Sequence, residues 1–183
     1  RGLPSGATLI LQVGDEEKFE SRTMIDAPES SEKVTEQLLD GQQRLTALWR
    51  SLHDKYPDRS YLIGFEDDPG NVSLKLPYVY GQARWIKNGT RYPMWVDDPQ
   101  ECWNRGYIPI ALLRPEDMEE IIDQWVEEAI SISVTDKHQA YKVLKKIINE
   151  LRIKIREFNL PYLSLPFNTP KEVALDVFIK MNT

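Results

Sequence analysis

The sequence predicts an α+β domain, on three observations. The first half is rich in short apolar runs broken by Gly, Pro and Asp, as strands and turns are. The second half carries long stretches whose apolar residues recur every three or four positions, as in amphipathic helices. Runs of strands followed by runs of helices favour a small mixed sheet packed on a helical C-terminal half over alternating βαβ units. With 183 residues, 41% of them hydrophobic, the chain can bury a core. The expected organisation is one domain over residues 1–183, strand-rich over 1–110 and helical over 111–183.

Each element has its own signal. Ala7 to Val13 reads as a strand, apolar at Leu9, Ile10, Leu11 and Val13, after a turn at Leu3-Pro4-Ser5-Gly6. Gly14 to Lys33 is charged and irregular and is expected to be a mobile surface loop, with Met24 and Ile25 as a possible strand extension. Gln37 to Asp40 opens as a short strand and turns at Asp40-Gly41. The helix that follows places Leu45, Leu48, Trp49, Leu52 and Tyr56 on one face, which is expected to be buried. Tyr61 to Phe65 and Ser73 to Tyr80 read as strands around a turn at Asp67-Asp68-Pro69-Gly70. The strands near Leu9, Leu38, Ile63 and Leu76 are expected to share one sheet. Asn88-Gly89 between apolar arms is a tight-hairpin signal.

Pro115, Glu116 and Asp117 suit the first turn of a helix with the apolar stripe Met118, Ile121, Ile122, Trp125, Val126 and Ala129. A longer helix is expected from about Asp136 to Phe158, burying Val143, Leu144, Ile147, Ile148, Leu151 and Ile155. Its basic residues, among them Lys142, Lys145, Lys146 and Arg152, read as a solvated face. Leu160 to Pro166 fits an edge strand bracketed by prolines. Thr169-Pro170-Lys171-Glu172 then opens a last helix with a capping-box pattern.

Composition removes several function classes. A net charge of −6 argues against a broad DNA-binding surface. Cys102 is the single cysteine, so no disulfide framework forms within the chain and a cytoplasmic setting is expected. No apolar run approaches the roughly 18 residues that span a membrane. There is no P-loop and no Cys/His cluster with zinc spacing, and His53 and His138 are isolated. The sequence begins at Arg1 without a methionine and is expected to be a piece of a longer protein.

The densest chemistry lies at Asp40-Gly41-Gln42-Gln43-Arg44, where strand gives way to helix. A helix N-terminus offers backbone N–H groups and a partial positive charge to an anion. Arg44 adds a planar fork of donors suited to phosphate. Asp40 suits a magnesium ion or a ribose hydroxyl, and the glutamines suit amide recognition. The plainer alternative is that Asp40 caps the helix and Arg44 pairs with a surface carboxylate.

Leu39-Asp40-Gly41-Gln42-Gln43-Arg44-Leu45-Thr46-Ala47-Leu48 resembles the signature of the N-terminal domain of GmrSD-type restriction enzymes, a family related to the ParB/sulfiredoxin-like fold. Phe178-Ile179-Lys180-Met181-Asn182-Thr183 resembles a second motif of that family, a helix ending in Phe-x-x-x-Asn near the same corner. Read alone, Asn182 equally suits a helix C-terminus that tolerates a left-handed backbone. The resemblance implies a nucleotide-binding domain, hydrolysing a nucleoside triphosphate with Mg2+, within a modification-dependent DNA restriction protein that defends against phage. It assigns Asp40 to the metal or the attacking water and Arg44 to phosphate charge. Gly41, Gln42, Gln43 and Asn182 would hold the nucleotide. DNA and a nuclease domain or subunit would be partners, and no membrane. The alternative is a module that senses a nucleotide or the DNA backbone without turnover and gates a partner nuclease. The family's usual Gln-Arg-x-Tyr-x-Trp segment, upstream of the first strand, has no match between Arg1 and Asp40: either this piece begins after it or part of the site is missing. The family's His-Asn-His nuclease half is also absent from these residues.

Overall fold

A computed structural model describes residues 7–23, 25–27, 31–68, 71–130 and 137–181. The expected turn at Leu3–Gly6, the tip at Pro69-Gly70, Met24 and Asn182 lie outside the described residues. In order, the elements are β1 (Thr8–Gln12), β2 (Glu36–Asp40), α1 (Gln42–Leu52), β3 (Arg59–Asp68), β4 (Asn71–Ala83), β5 (Trp85–Lys87) and β6 (Thr90–Tyr92). They continue as α2 (Pro99–Asn104), β7 (Ile108–Pro109), α3 (Glu119–Ala129), α4 (Lys137–Arg156), β8 (Tyr162–Leu165) and α5 (Lys171–Met181). The class is α+β, as the sequence predicts.

The chain divides into two compact units, residues 1–49 with 159–183, and residues 50–158. The strands expected in one sheet fall in two. In the first unit the order is β2-β1-β8, with β1 antiparallel to β2 and parallel to β8. β8 therefore takes the edge position that its bracketing prolines suit. In the second unit the order is β4-β3-β7, and β5-β6 form a separate hairpin. The division follows from pairing reach: β3 and β4 are two residues apart in sequence and pair along most of their length, from Arg59↔Ala83 to Asp67↔Lys75. Asn88 and Gly89 both have positive φ, 52° and 78°, the combination that a two-residue type I′ hairpin turn needs.

The core of the second unit joins Ile108, Leu113, Ile122, Val126, Leu144 and Ile148, none more than 1% exposed. Not every residue of the expected stripes is inside. Ile121 on α3, Val143 and Ile155 on α4, and Leu48 on α1 are at least a third exposed. Tyr56 lies beyond the end of α1. Helix α3 also begins later than Pro115 suggests, with Met118 at its N-cap. One nitrogen of the Arg152 guanidinium donates to the carbonyls of Arg114, at 3.1 Å, and Glu116, at 2.6 Å. These bonds satisfy carbonyls of the irregular segment 114–117 that precedes the helix. Arg152 and Lys145, which bridges to Asp123 at 2.5 Å, thus tie α4 to the chain around α3.

His53 lies against that irregular segment. Arg114 Nη1 is 3.4 Å from its Nδ1, and Glu116 Oε1 is 3.4 Å from its Nε2. A guanidinium only donates, so Nδ1 accepts and the ring proton sits on Nε2, facing Glu116. Burial, opposed by Glu116 and aided by Arg114 and Lys55, holds the imidazole below its ordinary 6.5. A depressed folded value means that the unfolded chain takes up the proton first as pH falls. The fold is therefore expected to be fully stable above pH 6.5 and to lose stability as pH falls through the folded value. Melting temperatures of the parent and His53→Gln between pH 7.5 and 5 check this: the variant should lose that component of the acid sensitivity.

The loop from Gly14 is irregular, as expected, but it is anchored. The Gln37 amide nitrogen, on β2, lies 2.5 Å from the Phe19 carbonyl and 2.9 Å from Ser21 Oγ. Lys18 donates to the Phe167 carbonyl at 2.5 Å, ahead of α5. Ile25 is in a turn, not a strand.

Candidate functional site

β2 delivers Asp40 to the end of the first unit's sheet, opposite Leu9, where the β1–β2 register shifts between Leu9 and Ile10. The chain then reverses at Gly41, which is buried and has φ +98°. An ideal Cβ at this position would stand 2.5 Å from Thr8 Cγ2 and 3.2 Å from an Arg44 nitrogen. Only glycine meets both conditions without strain.

The Leu45 N–H donates to the Gly41 carbonyl at 3.0 Å, which makes Gly41 the N-cap of α1. Asp40 is one residue too early to be the N-cap residue. Its carboxylate turns instead to Arg44, with Nη2 to Oδ2 at 3.0 Å. The same nitrogen donates to the Ala7 carbonyl at 3.0 Å. The carboxylate that Arg44 was expected to find on the surface is thus Asp40 itself. The pair is part-exposed, with side chains 35% and 26% accessible. Gln42 reaches back to the Leu38 carbonyl at 3.2 Å, whereas Gln43 is exposed and has no side-chain hydrogen bond among the described residues.

The structure thus brings Asp40, Gly41, Gln42, Gln43 and Arg44 into one corner and adds two positions that sequence reasoning missed. Ala7 and Thr8 enter through the pairing of β1 with β2, and neither residue type signals that role. Asn182 is outside the described residues.

Other chemistry is weaker. Burial pushes the Cys102 thiol up to about 12, so it is no nucleophile at neutral pH. His138 is exposed and distant in sequence from any cluster. Among the described residues no group of three His, Cys, Asp or Glu side chains could hold a metal ion. An open groove in the second unit, near Trp95, is lined by Arg91 as well as by Asp97, Asp98, Glu101 and Glu128, of which Asp97 pairs with Arg84 and Glu101 with Arg105. No helix among the described residues is long and apolar enough to cross a membrane.

The family model for the GmrSD restriction endonuclease, N-terminal domain, matches residues 1–183. The chain belongs to this family. The match covers both units and the whole Asp40–Arg44 corner of this GmrSD-family domain. Membership places the domain in a restriction protein, whose substrate is DNA. No curated protein and no solved structure matches the chain.

Proposed function

We propose that this GmrSD-family domain binds and hydrolyses a nucleoside triphosphate with Mg2+ at the Asp40–Arg44 corner. In this reading it gates a nuclease partner that cuts modified DNA in cytoplasmic phage defence. The observation that carries the reading is Gly41: a buried glycine held at positive φ so that strand and helix meet without a Cβ between them. A turn that only joined two elements would not need that close approach. It leaves the first N–H groups of α1, Gln43 and the part-exposed guanidinium of Arg44 together, a donor set for phosphate.

The donor set also fits the metal. Mg2+ is ordinarily held by one or two carboxylates and the phosphates of its nucleotide. Asp40 supplies one carboxylate, and the described residues hold no larger cluster for a metal on its own. Bound there, the ion would neutralise charge on the transferring phosphoryl group. Arg44 would hold phosphate charge, while Gln42 and Gln43 would orient the nucleotide or water. Asn182 would complete the nucleotide contacts. Sensing without turnover has one observation in its favour: Asp40 is engaged by Arg44 and is not a ready base.

The test is melting temperature and phosphate release with ATP or GTP and Mg2+. Stabilisation by a nucleotide is expected for the parent. It should be weakened in Arg44→Ala by about 1.5–3 kcal/mol, the scale of a hydrogen bond to a charged group. Arg44→Ala should also lower stability without ligand, because it releases the Ala7 carbonyl. Failure of every nucleotide to stabilise the parent rejects the reading. Stabilisation without phosphate release selects the sensor.

A further inference from the structure

We infer that the Asp40–Arg44 ion pair is a lock on this corner, which metal and triphosphate open together by exchanging partners. The inference rests on the nucleotide reading above. One nitrogen of Arg44 is shared between Asp40 Oδ2 and the Ala7 carbonyl, both at 3.0 Å. While that contact stands, one of the two carboxylate oxygens and one guanidinium nitrogen are engaged with each other, and metal and phosphate compete with that bond. The closed pair is also close to neutral as a unit. A lone cation meets the guanidinium, and a lone anion meets the carboxylate.

A magnesium–triphosphate pair brings both charges at once. The carboxylate passes to the metal and the guanidinium to the phosphate, so each ionised group trades one partner for another. The cost of opening is met once for two ligands, which makes their binding mutually reinforcing. The exchange also releases the Ala7 carbonyl, at the entry to β1, and so carries the bound state beyond the corner.

The pair is part-exposed, so the lock is modest, and its removal has a direction that a simple metal-ligand role does not predict. Asp40→Asn removes the negative charge beside Arg44 and should bind metal-free nucleotide more tightly than the parent, by about two- to five-fold, the strength of an exposed ion pair. The same variant should lose the gain in affinity that Mg2+ gives the parent. The measurement is calorimetric titration with ATP and GTP, in EDTA and then in Mg2+, for the parent, Asp40→Asn and Glu36→Gln. Glu36 is an exposed carboxylate at the far end of β2, and its variant controls for net charge. As a second readout, the Arg44 Nε–H signal in nitrogen-labelled protein, assigned through Arg44→Lys, should move with Mg2+ and nucleotide but not with Mg2+ alone.

Equal or weaker metal-free binding by Asp40→Asn, or an unmoved Arg44 signal in a nucleotide-bound parent, overturns the exchange while leaving nucleotide binding intact. An equal gain in Glu36→Gln reduces the effect to general charge and also overturns it. No binding by any of the three proteins removes the nucleotide reading itself, and the lock with it.

Discussion

Gly41→Ala is expected to destabilise the first unit by about 2–4 kcal/mol and to abolish any nucleotide-induced stabilisation. Two penalties combine. A residue with a Cβ in the left-handed region costs roughly 1–2 kcal/mol. The new methyl would also stand 2.5 Å from Thr8 Cγ2, a buried side chain on the central strand, and 3.2 Å from the Arg44 nitrogen that bonds Asp40 and Ala7. Something must move: the buried Thr8 side chain, Arg44, or α1 against β1. Gly89→Ala isolates the first penalty, since its φ is +78° and nothing among the described residues lies within 4 Å of an added Cβ. That variant should cost only about 1–2 kcal/mol and leave the corner alone. Thr8→Ser, which removes the clashing methyl, should recover part of the loss when combined with Gly41→Ala. Urea titrations of the four proteins check the scheme. A cost for Gly41→Ala no larger than that for Gly89→Ala would show that close approach to Thr8 is unimportant.

Ile148→Ala is expected to cost about 2–5 kcal/mol, the range for truncating a fully buried aliphatic side chain. Ile148 has no exposure and sits in the core with Leu144, Ile122 and Val126. Removing most of its side chain loses apolar transfer and leaves a hole between α3 and α4. Val143 was expected on the same buried face of α4, but it is 46% exposed. Val143→Ala should therefore cost well under 1 kcal/mol, as surface changes do. Thermal denaturation separates the two, at roughly 2–4 °C per kcal/mol for a chain of this size. Similar melting temperatures for the two variants would mean that α4 packs through a different face.

The sequence by itself determined the α+β class, most element positions and the corner. These are matters of local chemistry. Asn88-Gly89 specifies its hairpin because both residues accept positive φ cheaply. Asp40-Gly41 marks the break between strand and helix because α1 needs a non-helical residue before its first turn. Local patterning was not enough for partners distant in sequence. The parallel pairing of Leu9 with Leu163 joins residues far apart in the chain, and no periodicity encodes it. The same holds for the late start of α3, whose preceding segment Arg152 holds from α4, and for which half of an apolar stripe is buried. Only the tertiary structure decided the chemistry of the corner. Asp40 and Arg44 read as two independent groups in the sequence, because four residues of spacing fix neither orientation nor partner. Their ion pair spans four residues at the start of α1, and its second contact with Ala7 exists because the β1–β2 pairing brings residue 7 to that corner.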